Sequence, residues 1–213
     1  AQARKQYLTL VHWWHDSPEA VKAQHRYAEL LLADSNYEKA FSEFQYLIEY
    51  FAGDFPLEPV LEEQFRIANY VRTKHRETVL FFLESTSTKK ALPLYRQIIK
   101  NGPNWHRTPS ALFYMGIIHE NQKDYAQAIA SYETLTLRYS LSEFAVSARY
   151  RQGYCLYKIS QKNPRDEIRC YKALMTLINF EKDYPQNPNT PNVKAYVSEL
   201  KALLSAFSFE KAD

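Results

Sequence analysis

The residues of this chain that could do chemistry are few, and their spacing argues against most of them. His12-Trp13-Trp14-His15, with Asp16 alongside, has a spacing that two metal-binding imidazoles of one helix would use. No third ligand accompanies them, so surface or packing histidines are the expectation. Glu62 and Glu63 are adjacent, and on a helix they point in different directions, which removes a paired-carboxylate acid–base site. His119 falls in a segment of small residues and reads as a packed histidine rather than a base. Cys155 and Cys170 are too few and too far apart for zinc. They read either as two reduced, buried thiols or as one disulfide of an oxidising compartment. The sequence holds no Gly-rich phosphate loop, no Gly-x-Ser-x-Gly elbow and no His-Glu-x-x-His pair. No enzyme, metal site or cofactor is expected.

Composition points the same way. Hydrophobic residues make up 46% and charged residues 24% of 213, as in folded proteins and unlike disordered ones. Only 4 glycines occur, against 17 Tyr and 12 Phe. Scarce glycine disfavours hairpin-dense β folds, which need positive φ at many turns. Abundant aromatics suit thin layers between helices. A formal charge of +3 is too mild for a nucleic-acid footprint, and the densest basic patch, Arg72, Lys74, His75 and Arg76, reads as a solvated loop. No apolar run approaches the ~18 residues that a membrane span needs. The start at Ala1, without Met, reads as a processed or trimmed terminus.

The elements behind these residues emerge from internal repetition. Gly116 and Ala128 stand twelve residues apart, with Tyr132 and Leu135 following; Ala28 and Ala40 repeat that spacing ahead of Phe44 and Leu47. Ala68 pairs with Ala91, Tyr95 and Ile98 across about eleven extra residues, and Gly153 with Ala173, Leu177 and Phe180 across about eight. Two antiparallel helices approach closely where small residues face each other, here Gly116 and Ala128, and the large residues fill the groove against the next pair. Ser17-Pro18-Glu19 and Thr190-Pro191 read as helix starts. The fold expected is therefore all-α: a right-handed superhelical array of antiparallel helix pairs forming one domain over 1–213. The pairs fall near 20–52, 60–103, 109–140 and 145–185. A capping helix over 191–207 carries the stripe Val193, Tyr196, Val197, Leu200, Leu203 and Leu204.

These units resemble the tetratricopeptide repeat over roughly residues 20–207. The fourth unit narrows the resemblance. Ala148-Arg149-Tyr150-Arg151-Gln152-Gly153-Tyr154-Cys155-Leu156-Tyr157-Lys158 leads into Asn163-Pro164-Arg165-Asp166, then Lys172-Ala173-Leu174, and closes on Phe180-Glu181-Lys182-Asp183-Tyr184-Pro185. This is similar to the later repeats of BamD-type lipoproteins of the outer-membrane β-barrel assembly machinery. Tol-associated periplasmic coordinators share much of the same pattern. The resemblance implies a monomer within a larger complex at the periplasmic face of the outer membrane, tethered by an amino-terminal lipid. Its implied partners are the barrel-inserting subunit and unfolded outer-membrane clients. A general repeat adaptor, such as a Tol-type coordinator or a secretion chaperone, is the alternative.

First helices line the concave face of such arrays. Counting helical steps from the small residues puts His25, Glu29, Phe65, Arg66 and Asn69 there, with Phe113, Tyr114 and Ile117 in the third unit and Tyr150, Arg151, Tyr154 and Tyr157 in the fourth. An aromatic groove with scattered Arg suits an extended aromatic peptide, the Arg meeting a terminal carboxylate. An insertion over 72–90 carries the apolar run Val79, Leu80, Phe81 and Phe82, read either as a docking hook or as an extension of the first helix.

Overall fold

The computed structural model describes residues 2–13, 17–73 and 84–210. All regular structure among them is helical: α1 (Gln2–Trp13), α2 (Pro18–Ala33), α3 (Tyr37–Tyr50), α4 (Leu57–Thr73), α5 (Glu84–Asn101), α6 (Thr108–Asn121), α7 (Tyr125–Arg138), α8 (Ala145–Lys162), α9 (Glu167–Asp183) and α10 (Thr190–Glu210). Two compact units divide the chain, Ala1–Thr108 and Pro109–Asp213. The side chains of His12 and of Val79–Phe82, and everything about His15, lie outside the described residues, so the metal and docking-hook readings do too. The insertion is shorter than the sequence indicates. Arg72 lies in the last turn of α4 rather than opening a loop, and α5 already runs from Glu84.

Local chemistry sets the helix boundaries. The Ser17 hydroxyl accepts from the amide of Ala20 (3.2 Å) with Pro18 in the first turn of α2, while Asp124 and Asp166 cap α7 and α9 by accepting from Gln127 (3.4 Å) and Arg169 (3.0 Å). The turns α2–α3 and α6–α7 are the same device. Ser35 (φ 60°) and Lys123 (φ 61°) take the left-handed conformation two residues before the next helix. The amides of Asn36 and Asp124 reach back to the carbonyls of Leu31 and His119, both at 2.9 Å. The helices α6 and α10 also share an entry. Buried Thr108 and Thr190 donate their hydroxyls to the carbonyls six residues back, Gly102 (2.5 Å) and Tyr184 (2.8 Å).

Within each unit the core follows the repeat. Ala28, Ala40, Ala68, Ala91, Ala128 and Ala173 are wholly buried, as are Phe44, Tyr95, Tyr132 and Leu177 four residues after the second-helix alanines. The glycines correct one expectation. A Cβ on Gly116 would stand 2.3 Å from the ring of Tyr132, and one on Gly153 would stand 2.7 Å from Leu177. The first helix is small at these points to admit the large residue of the second helix, not to meet its alanine. In α10, Val193, Val197 and Leu200 are buried and Tyr196, Leu203 and Leu204 half-buried, as the stripe requires.

Candidate functional site

In the first unit, the residues expected to face a groove are largely engaged. Phe65 is only 4% exposed, with Trp105 edge-on (5.6 Å), Tyr95 edge-on (6.0 Å) and the Arg107 guanidinium over its ring (5.6 Å). It is a core residue, because Trp105 in the connection after α5 folds over it. Asn69 accepts from the hydroxyl of Tyr95 at 2.7 Å and from Arg72 at 3.3 Å, so its amide holds α4 to α5. Arg66 pairs with Glu63 on its own helix, and Glu62 pairs separately with Arg107 (2.9 Å), as adjacent residues pointing apart must. His25 rests edge-on against Phe44 (5.9 Å), with its Nδ1 3.6 Å from Glu29, which also takes Arg26 at 2.7 Å.

The second unit differs. Its first helices α6, α8 and α10 form one row, locked at two points. Glu120 on α6 accepts from Arg151 of α8 at 2.8 Å and from the hydroxyl of Tyr132 at 2.9 Å; its side chain is 12% exposed. Burial drives the Tyr132 phenol far above its usual range, and the charge of Glu120 adds to this. Arg151 also sits over Phe113 (5.9 Å), which packs with Tyr114 against Phe144 (4.9 and 6.1 Å). At the second lock, Tyr157 stacks on Tyr196 of α10 (4.4 Å, 20° between planes) and donates to Glu199 at 2.5 Å. Tyr154 tilts against the same ring at 5.9 Å, and Tyr150 lies 5.8 Å from Phe180.

The row therefore corrects two further readings. Arg151 is bound to Glu120 and is no spare cation for a carboxylate. Tyr157, 8% exposed, is interhelical packing rather than open surface. Phe113, Tyr114, Ile117, Tyr150 and Tyr154 remain half-buried along the row. Sequence reasoning missed Lys158 and Lys162, whose ammonium groups lie over Tyr154 (5.5 Å), Tyr157 (5.8 Å) and, for Lys162, Tyr125 (5.1 Å). Their spacing of four from Tyr154 and then from each other was the available signal. Both cysteines are free and buried, and burial raises each thiol, which disfavours the reactive thiolate. His119 is buried with Nδ1 3.6 Å from Asp124, a packed residue of the α6–α7 turn. Among the described residues no cluster of His, Cys, Asp or Glu could hold a metal, and no helix is long and apolar enough to cross a membrane.

The second lock makes a pH prediction. Burial, then the bond to Glu199, lifts Tyr157 to about 12; burial, then Tyr150, lifts Tyr196 to about 12. The unfolded phenol ionises near ~10. A pKa raised on folding leaves the stabilisation intact below pH ~10 and removes it as pH climbs from there to about 12. Helicity and tyrosinate absorbance recorded together should show late tyrosines ionising with helix loss in that window. Glu199→Gln should bring the Tyr157 step down; an unmoved step would detach Glu199 from it.

Comparison with known proteins finds a repeat of the same kind in part of the chain. Residues 110–142, spanning α6 and α7, match the tetratricopeptide repeat. The chain resembles the crystal structure of nearly identical TPR-like repeats from a Podosopora anserina protein named as a kinesin light chain, at 10% identity and a TM-score of 0.48 over 92% of each chain. A variant of that protein gives 9% identity and the same TM-score of 0.48, over 92% of this chain and 91% of the other. No curated protein matches the sequence. By fold this is an all-α repeat protein of tetratricopeptide-like helix pairs. More particularly, it carries a tetratricopeptide repeat in its second unit, where the aromatic row begins.

Proposed function

We propose that this protein is a non-catalytic scaffold whose second unit grips an extended peptide along the α6–α8–α10 row. The observation carrying this reading is the run of half-buried Tyr114, Ile117, Tyr150 and Tyr154 beside two lysines, on helices braced from behind by Glu120 and Tyr157. Rings held rigidly offer contact area at little entropic cost. The finer reading makes it a BamD-like component of outer-membrane β-barrel assembly at the periplasmic face. There it would bind the barrel-inserting subunit and aromatic client segments. That reading is supported by the motif resemblance over 148–188, which supplies α8, the Arg165-Asp166 turn and α9.

Titration with a labelled peptide from the carboxy terminus of a barrel protein tests the groove. Tyr154→Ala and Tyr114→Ala should each weaken binding about fivefold or more, since a stacked aromatic contributes roughly 1 kcal/mol or more. Equal affinity at unchanged helicity would remove the groove. Co-purification with a barrel-inserting membrane protein tests the assembly role independently. A general repeat adaptor would pass the first test and fail the second.

A further inference from the structure

We infer that the outer face of α9, with the turn that precedes it, docks on an anionic lipid surface. This goes beyond the peptide-binding reading, and its surface is α9 rather than the row. Among the described residues, five large apolar side chains stand exposed on the second unit: Leu137, Leu141, Ile168, Tyr171 and Met175. Three of them belong to α9 and recur at spacings of three and four, so they share one face of the helix. Ile168 is 83%, Tyr171 58% and Met175 37% exposed. The opposite face, with Cys170, Ala173, Leu174, Leu177 and Phe180, is already packed in the core. A core helix thus carries a second apolar stripe toward solvent. Single exposed apolar residues are ordinary, but an aligned row marks a contact surface.

Charge says what the stripe meets. Residues 162–172 hold Lys162, Arg165, Arg169 and Lys172 against Asp166 and Glu167, so +2 of the chain's formal +3 sits in eleven residues. The Asp166 carboxylate is occupied, accepting from the Arg169 amide (3.0 Å) and lying 3.0 Å from the Arg169 guanidinium. Lys172 meets Glu133 at 3.5 Å, both side chains solvated, a pair worth little and readily exchanged for another anion. Arg165 is exposed and has no ion-pair partner among the described residues, while Lys162 lies over Tyr125 at 5.1 Å. Along the chain, Ile168 and Tyr171 alternate with Arg165, Arg169 and Lys172. Such interleaving suits a bilayer interface. Long cationic side chains reach the phosphates, apolar residues enter the acyl boundary, and tyrosine settles at the headgroup level. An acidic protein would answer the charges, but it would need a cleft to receive an isoleucine that projects this far; a bilayer yields around it.

Sedimentation of the full chain with vesicles tests this, using phosphatidylcholine alone and phosphatidylcholine mixed with phosphatidylglycerol. The mixed vesicles should bind the chain and the neutral ones should not, the binding weakening as salt is added. Arg165→Gln should lower partitioning about fivefold, the effect of one cation near an anionic surface, and Ile168→Ser at least as much. Arg138→Gln, at the far end of α7, should change nothing. All three side chains are exposed, so helicity should hold throughout. Equal binding to both kinds of vesicle, or binding to neither, overturns the inference. If soluble polyglutamate holds the chain as tightly as the mixed vesicles and Ile168→Ser alters neither, the patch receives an acidic protein and the lipid surface falls. If Arg165→Gln binds vesicles as the wild type does, the cations of the turn are not the contact. Peptide titration of Arg165→Gln should match the wild type, so the groove and the lipid surface stand or fall separately.

Discussion

Tyr132→Ala should be the most damaging single substitution in the second unit, lowering its stability by about 4 kcal/mol. The ring is wholly buried, its edge fills the space that Gly116 leaves open, and its hydroxyl donates to Glu120 at 2.9 Å. Removing it leaves a cavity between α6 and α7 that neither helix can close without shifting. For a chain of this size that corresponds to a melting temperature roughly 10 °C lower. Two companions divide the effect. Tyr132→Phe keeps the ring and loses the bond to a charged acceptor, about 1.5 kcal/mol. Gly116→Ala places a methyl group where the ring stands. Overpacking of ~1–3 kcal/mol is offset in part by the ~1 kcal/mol that alanine gains over glycine in a helix. Gly116→Ala in the Tyr132→Ala background should be neutral or stabilising, because the obstruction is gone. Thermal unfolding followed by circular dichroism decides the series. A Gly116→Ala protein more stable than wild type would show that the close approach does not constrain the pair.

Loss of Glu120 should be next in size. Glu120→Ala leaves the Arg151 guanidinium without its counter-charge and the Tyr132 hydroxyl without its acceptor. Breaking a fully buried pair costs ~3–5 kcal/mol. The Arg151 side chain is 35% exposed, so solvent screening brings the expected loss to about 2 kcal/mol. Glu120→Gln should recover part of it by keeping an acceptor for the tyrosine. A double-mutant cycle with Arg151→Met should give a coupling of about 1–2 kcal/mol. Additive single effects would mean that the pair is incidental and that α6 and α8 are held by packing alone. Peptide affinity measured on the same variants is a second readout. If Glu120 braces the row, affinity should fall in Glu120→Ala although neither residue of the pair is proposed to touch the ligand.

Much of the fold was legible because the repeat is written in residue size. Ala28 with Ala40, Ala68 with Ala91, and Gly116 with Ala128 mark where helices cross, and side-chain volume is a property of the residue itself. The caps Ser17, Asp124 and Asp166 act within three residues of themselves, so they too can be read directly. The left-handed turns at Ser35 and Lys123 were not legible, since neither residue favours that conformation; the bonds back to Leu31 and His119 impose it. The site was legible in kind but not in membership. Helical counting places Phe65 and Tyr154 on equivalent faces. It cannot register that Trp105, forty residues further on, buries the first, while Tyr196 and Lys158 leave the second half-buried.

The same division holds for charge. Sequence alone determined that this is an all-helical repeat with aromatic first-helix faces and no catalytic motif, because size, periodicity and capping act locally along the chain. Only the tertiary structure decided which cations are neutralised. Arg151 meets Glu120 across 31 residues of sequence and is neutralised there, while Lys158, four residues from Tyr154, lies over that residue's ring. Ion pairing depends on distances between different helices, and those distances exist only once the pairs have packed.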